Sequence, residues 1–185
     1  MGEILRRLRP SDLDAAGLAL REAIAGGPRA SGPFPLVDPD EALNGPFGVM
    51  LHAPAVGGAL SSLGEAIRFG SSLSPRVREI AILAVGATRR SAYEIWAHER
   101  VAAAMGFSPE EIAALVDGSW RSDDEIESVV HESAVVLAGG GELPPVLATR
   151  LVTALGESGA VELVTLVGYY CTLAMLLQAF QIPTP

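Results

Sequence analysis

One cysteine, Cys171, stands in the whole sequence. No intrachain disulfide framework can form, which fits a reducing compartment, and a cytoplasmic chain is expected. Cys171 lies in an apolar run and reads as a small buried hydrophobe. Charge is scarce as well. Charged residues make up 19% of the 185 positions, little for a chain that must coat itself with polar surface. Some apolar surface is therefore expected to be hidden in a homo-oligomer. The net charge is −9, with no basic stripe. That speaks against nucleic acid and against an anionic membrane surface, yet leaves room for a local arginine to hold an anionic substrate. The opening MGEILRRLRP lacks the apolar stretch of a signal peptide. The three histidines are dispersed without ligand spacing, so no metal is expected. No glycine cluster has the form of a phosphate loop, and no cofactor is expected.

What is present is apolar and helical. Hydrophobic residues reach 49% and are dominated by Ala and Leu, which favour helix. Apolar positions recur at three and four residues and scarcely at two, so strands are nearly excluded. The expectation is an all-α, single-domain bundle of about nine helices with short connections. Residues 1–37 read as an N-terminal helix and a Gly/Pro-rich arm, and 38–185 as the helical domain. The first helix is expected from Asp12 to Ala25 with Ser11 as cap, then a loop over 26–37, a short helix from Pro39 to Leu43, and a compact apolar turn at GPFGVMLHAP. Further helices are expected from Pro54 to Phe69, from Pro75 behind the Ser74 cap to Thr88–Arg90, from Ser91 to Gly106, from Pro109 to Val116, from Ser122 to Ala138, from Pro145 to Leu155, and from Gly159 to Phe180. From Leu163 onward no residue is charged. Length alone would admit a membrane span. The polar Thr165, Tyr169, Tyr170, Thr172 and Gln178, Glu162 beside them, and the missing basic flank favour a helix buried on all sides in a bundle or subunit interface.

The chemistry concentrates between Ser74 and Leu115. At about 100° per residue, Glu94 and His98 lie one turn apart on one helical face, and Ser91 falls on the same stripe two turns from His98. Glu79 sits on the preceding helix, on a side shared with Ile82, Leu83 and Gly86. A tight break at Thr88–Arg90 would fold the two helices together and bring Glu79 to the stripe. Two carboxylates beside an imidazole make a proton relay: one raises the His pKa and fixes its tautomer, while crowding pushes one carboxyl pKa upward. Equally open on spacing alone is an ordinary Glu94–His98 helix pair with Glu79 bridged to Arg76 or Arg90. Tyr93 and Trp96 either shape a pocket or simply pack. His52, in the MLHAP turn, either joins the pocket, from its own or a neighbouring subunit, or stabilises the turn. His131, near Glu125 and Glu127, reads as a solvated helix residue.

REIAIL around Glu79, followed by Ser91-Ala92-Tyr93-Glu94 and His98, resembles the carboxymuconolactone decarboxylase superfamily. Its alkyl hydroperoxide reductase D-type branch carries Glu, then Cys-x-x-Cys, then His four residues on. Ser91 and Glu94 occupy the two cysteine places, and the spacing fits without gaps. GPFGVMLHAP and VELVTLVGYYCTLAMLLQAF are similar to the early turn and final helix of the longer decarboxylase-like members, and the resemblance extends over about residues 40–182. With both thiols replaced, a disulfide cycle is excluded. The resemblance therefore implies the decarboxylase-like side: a cofactor-independent lyase-type enzyme acting by acid–base chemistry on a small organic acid, lactone or related carbonyl compound. It implies His98 as proton donor or shuttle, Glu94 orienting or protonating it, Glu79 completing the relay, and Ser91 bonding substrate, with Tyr93, Trp96 and His52 as further binding candidates. It also implies rings of subunits, a trimer or hexamer. Two alternatives stand beside it: a non-catalytic oligomeric binding protein that kept the fold, and a residual hydroperoxidase using Cys171 between subunits.

Overall fold

The computed structural model describes residues 4–185; of the opening decapeptide, residues 1–3 lie outside it. Eight α-helices follow in order among the described residues: α1 Ala15–Ala25, α2 Gly45–Met50, α3 Pro54–Glu65, α4 Pro75–Arg89, α5 Ala92–Ala104, α6 Pro109–Asp117, α7 Glu125–Ala138 and α8 Pro145–Ala179. Among the described residues the β-pairing is limited to one isolated antiparallel bridge between Val37 and Leu43. The all-α expectation holds. The count differs because the last two expected helices run on as α8, interrupted where Gly156 takes φ 71° and ψ 171°. That backbone region is open to glycine and strained for other residues.

Caps set most of the boundaries. Ser74 accepts from the Val77 amide at the start of α4. Ser108 and Glu111 close a reciprocal capping box on α6, and Gly118 ends it at φ 82°. Four expectations shift. Helix α1 starts at Ala15, because Leu13 is extended and Asp14, not Ser11, caps by accepting from Gly17. Helix α7 starts behind Asp124, which accepts from Ile126 and Glu127, rather than behind Ser122. Residues 39–43 form a turn, not a helix. There Asp38 Oδ1 accepts from the amides of Asp40 and Ala42, an alternative to helical bonding that short acidic side chains offer. GPFGVM, expected as a turn, is helical instead. Pro46 sits in its first turn, and Phe47, Val49 and Met50 are all buried.

Helix α4 is the axis of the molecule and packs against α5, α6, α7 and α8. Ile80 through Val85 are at most 1% exposed, so every side of the helix over that stretch faces protein. Any charged residue here must find a partner or stay neutral. Helix α8 is long and apolar enough to cross a membrane, with a mean hydropathy of 1.8 over its most apolar stretch. In this fold Leu163, Leu166, Leu173 and Ala174 pack into the core. It is not buried on all sides, however: Val161, Val164 and Met175 are 67%, 44% and 49% exposed.

Beyond α3 the chain makes one wide π-turn, Ala66–Gly70. The arm is a single 3₁₀ turn at Pro28–Ser31 followed by extended chain. Leu36 of that chain joins the main core with Leu20 and Ile24 of α1. The arm, the π-turn, α2, α5 and α8 converge on one cavity.

Candidate active site

Arg90, left-handed at φ 52°, ends α4, and the Ser91 amide returns to the Gly86 carbonyl at 2.9 Å. This tight reversal sets α5 beside α4. Gly86 lets the crossing close, since a Cβ there would sit 3.3 Å from Ile95 and 3.6 Å from Glu94. Glu79, Glu94 and His98 are thereby brought together and buried, at 3%, 3% and 5% exposure. His98 Nδ1 lies 2.6 Å from Glu79 Oε2, and His98 Nε2 lies 3.7 Å from Glu94 Oε2. Neither Arg76 nor Arg90 pairs with Glu79: Arg76 is taken by Glu111 and Glu127, and the ion-pair contacts of Glu79 are with His98 and, at 4.0 Å, Arg68.

With Glu79 ionised, the short contact is Nδ1–H donating to its carboxylate. In a neutral ring Nε2 is then a lone-pair acceptor turned towards Glu94. The 3.7 Å gap is too long for a hydrogen bond. Burial pushes the Glu94 carboxyl up to about 7, against the downward pull of His98 and Arg68. Glu94 therefore exchanges a proton near neutrality, beside an imidazole nitrogen able to accept one.

Glu94 and His98 open on a cavity of about 240 Å³. Tyr93 and Tyr170 also line it, and burial pushes both phenols upward. Tyr170 meets the His98 ring edge-on at 5.2 Å. Glu79 is not in the cavity wall and orients His98 from behind. Ser91 is 1% exposed. It occupies the cap position of α5, but its hydroxyl makes no cap bond and has no hydrogen-bond partner among the described residues. Trp96 stands outside the wall. Its ring packs on Phe34 and Tyr93, which are in it, and Arg100 covers its other side at 4.3 Å. His52 lies elsewhere: exposed, with Nε2 3.1 Å from the Arg6 carbonyl oxygen. Within one chain it is a tether for the N-terminal segment.

Several wall residues carry no motif in the sequence. Arg68 reaches the site from the π-turn, 4.0 Å from Glu79 and 3.4 Å from the Tyr170 hydroxyl. Phe34 comes from the arm and Phe47 from α2. The doubling of Gly and Pro in the arm was the available signal, since long irregular segments of that kind often cover sites.

A larger groove, about 540 Å³, lies between α4, α6 and α7 and contains none of Glu79, Glu94 or His98. His131 lines it and is not fully solvated. Its ring packs on Trp120 at 5.0 Å, and burial followed by the nearby Arg121 lowers its pKa.

Residues 54–119, from the start of α3 to just past α6, match the carboxymuconolactone decarboxylase family model. That segment holds Arg68, Glu79, Glu94 and His98. No curated protein sequence matches the chain. Among solved structures, the debrominase Bmp8, as a cysteine-substituted variant in complex with 2,3,4-tribromopyrrole, aligns over 100% of this chain and 93% of its own with TM-score 0.78 at 14% identity. A protein of unknown function from Agrobacterium tumefaciens, a candidate antioxidant defence protein AhpD, aligns over 72% of this chain and 93% of its own with TM-score 0.65 at 15% identity. An uncharacterized peroxidase-related protein from Silicibacter sp. TM1040 aligns over 75% and 76% with TM-score 0.65 at 15% identity. At these identities the structures share a fold with this chain and no more. The segment 54–119 thus carries the carboxymuconolactone decarboxylase family pattern, and the chain as a whole shares the fold of the debrominase and AhpD-like structures.

Proposed function

We propose that this chain is a cofactor-independent acid–base enzyme resembling carboxymuconolactone decarboxylase. Its substrate is a small organic acid, lactone or related carbonyl compound. The observation that carries the reading is the buried Glu79–His98 contact of 2.6 Å, with Glu94, titrating at about 7, beside His98 in the cavity wall. Glu79 fixes the His98 tautomer and stabilises the imidazolium. His98 Nε2 and Glu94 are the groups that exchange protons with substrate. In a decarboxylation the C–C bond breaks, its electron pair moves into an adjacent carbonyl sink, carbon dioxide leaves, and the carbon takes a proton from Glu94 or His98. In an isomerisation, cyclisation or elimination one of the pair removes a proton from carbon and the other returns one. The 3.7 Å gap between them gives a substrate atom access to both.

A cavity of about 240 Å³ suits a compact, planar substrate; the structurally similar debrominase is in complex with a molecule of that kind, 2,3,4-tribromopyrrole. Hydroperoxidase activity through Cys171 is disfavoured, because burial raises its thiol pKa and keeps the thiolate scarce. We place the enzyme in the cytoplasm as a homo-oligomer, on its single cysteine and its thin charge.

The test is turnover of a panel of small unsaturated acids and lactones, read as carbon dioxide release and as deuterium incorporation at carbon in heavy water. A compound turned over by the native protein should slow by roughly 10²–10⁴-fold in His98→Ala. Undiminished turnover in that variant would contradict the reading. So would a native protein that binds such compounds but neither releases carbon dioxide nor exchanges deuterium, which is the behaviour of a binding protein that kept the fold.

A further inference from the structure

The chain has no lysine; all thirteen cations are arginines. A buried guanidinium normally fills its planar fork with a carboxylate or with carbonyl oxygens. Even Arg76, whose side chain is 40% exposed, does so, with Glu127 at 2.6 Å and Glu111 at 2.7 Å. Arg29, also in the cavity wall, bonds Glu65 at 3.2 Å and the Ser61 carbonyl at 3.2 Å. Arg68 is different. Its side chain is 25% exposed, and its contacts are long: 4.0 Å to Glu79 Oε1 and 3.4 Å to the Tyr170 hydroxyl. Glu79 turns Oε2 to His98 at 2.6 Å and leaves Oε1 standing 4.0 Å from Arg68, beyond hydrogen-bond reach. Most of the five donors of Arg68 are therefore left without a close acceptor, on a side chain that lines the cavity.

The position is built for this. Arg68 is the central residue of the π-turn Ala66–Gly70, a distortion that recurs at functional sites. The same cavity is lined by the aromatic rings of Phe34, Phe47 and Tyr93, and by Glu94 and His98 along α5. One part of the cavity thus calls for negative charge, another for a flat apolar body, and a third moves protons.

We propose that Arg68 is the anion anchor of the site, taking the carboxylate of a compact aromatic or unsaturated acid into its guanidinium fork. That this ligand is the substrate rests on the function proposed above; that the site binds it does not. A corollary concerns the chemistry. A carboxylate held on a cation is stabilised in the ground state and is a poor candidate to leave as carbon dioxide. The anchored group stays through the reaction, and the bond changes occur at the carbon presented to Glu94 and His98.

Benzoate and benzamide, nearly equal in shape and unequal in charge, separate the anchor from a merely apolar pocket. By titration calorimetry the native protein should bind benzoate at least about tenfold tighter than benzamide. Arg68→Gln should weaken benzoate by roughly 10–100-fold, as expected for a lost charge-assisted bond, and leave benzamide unchanged. Arg68→Lys should fall between. No saturable benzoate binding by the native protein, no preference over benzamide, or native benzoate affinity in a folded Arg68→Gln protein would each overturn the proposal. Should Arg68→Gln fail to fold, the native comparison and Arg68→Lys still decide. Binding is read without turnover, so a chain that binds benzoate through Arg68 and turns nothing over would refute the proposed reaction and keep the anchor. Turnover of an acid indifferent to Arg68→Gln would do the reverse.

Discussion

Glu94 is the residue whose environment departs furthest from that of an ordinary surface carboxylate. Burial raises it from 4.5 to about 7, so the folded chain keeps a proton that the unfolded chain has already released. Its contribution to stability is complete below the unfolded value and is lost as pH rises through about 7. A shift of that size is on the order of 3 kcal/mol. Glu94→Gln should therefore be more stable than the native protein at pH 8 and about equal at pH 4, as followed by urea unfolding across that range. The same substitution should remove the limb near pH 7 from any pH–rate profile. Glu79→Gln should act differently: the 2.6 Å acceptor for His98 Nδ1–H loses its charge, and turnover should drop roughly 10–100-fold without loss of substrate binding, seen as a fall in kcat at constant KM. The three relay residues were legible in the sequence because helical spacing places Glu94 over His98 and the family resemblance supplies Glu79. Arg68 was not. Its partner Tyr170 is 102 residues away, and no spacing rule spans that separation.

At the scale of elements, punctuation decided what could be read. Ser74, Ser108 and Pro109 announced helix starts that the fold keeps, because a cap is a local bond between neighbours. The segment 39–43 misled because Asp38 Oδ1 takes the amides of Asp40 and Ala42 into a turn, and α2 was missed because six residues are too few to show a period. Helix α2 matters to the site through Gly45, whose φ is 60° and whose missing side chain makes room for the Tyr93 ring. Gly45→Ala should lose roughly 2–4 kcal/mol, the sum of left-handed strain and overpacking, and should displace Tyr93 from the cavity wall. Gly106 is the control. It is also left-handed, at φ 91°, but nothing lies within 4 Å of a Cβ there. Gly106→Ala should lose only about 1–2 kcal/mol. Equal losses at the two positions, measured by chemical denaturation, would mean that Tyr93 is not held by that contact.

As a whole molecule, the chain keeps one long helix half in the core and half on the surface. Val161, Val164 and Met175 emerge along α8 beside Gly168, with no charged residue from Leu163 onward. An uncharged face of that length in a protein with 19% charged residues favours association. Light scattering should give a mass above the 19.2 kDa of one chain, and Val164→Lys should lower it. A native mass of one chain would remove oligomerisation from the proposal while leaving the site intact within the protomer. The relay itself draws on distant parts of the chain, with the π-turn, α4, α5 and α8 meeting around one imidazole, so it has to be probed in the intact protein. The most direct probe is the nitrogen resonances of His98, followed from pH 5 to 9. The buried pair predicts a neutral-ring proton on Nδ1, bonded to Glu79, and an Nε2 resonance that reports the ionisation of Glu94 near pH 7 and loses that response in Glu94→Gln. A neutral His98 ring protonated mainly on Nε2, with an Nε2 resonance that follows pH identically with and without the Glu94 carboxyl, would contradict it.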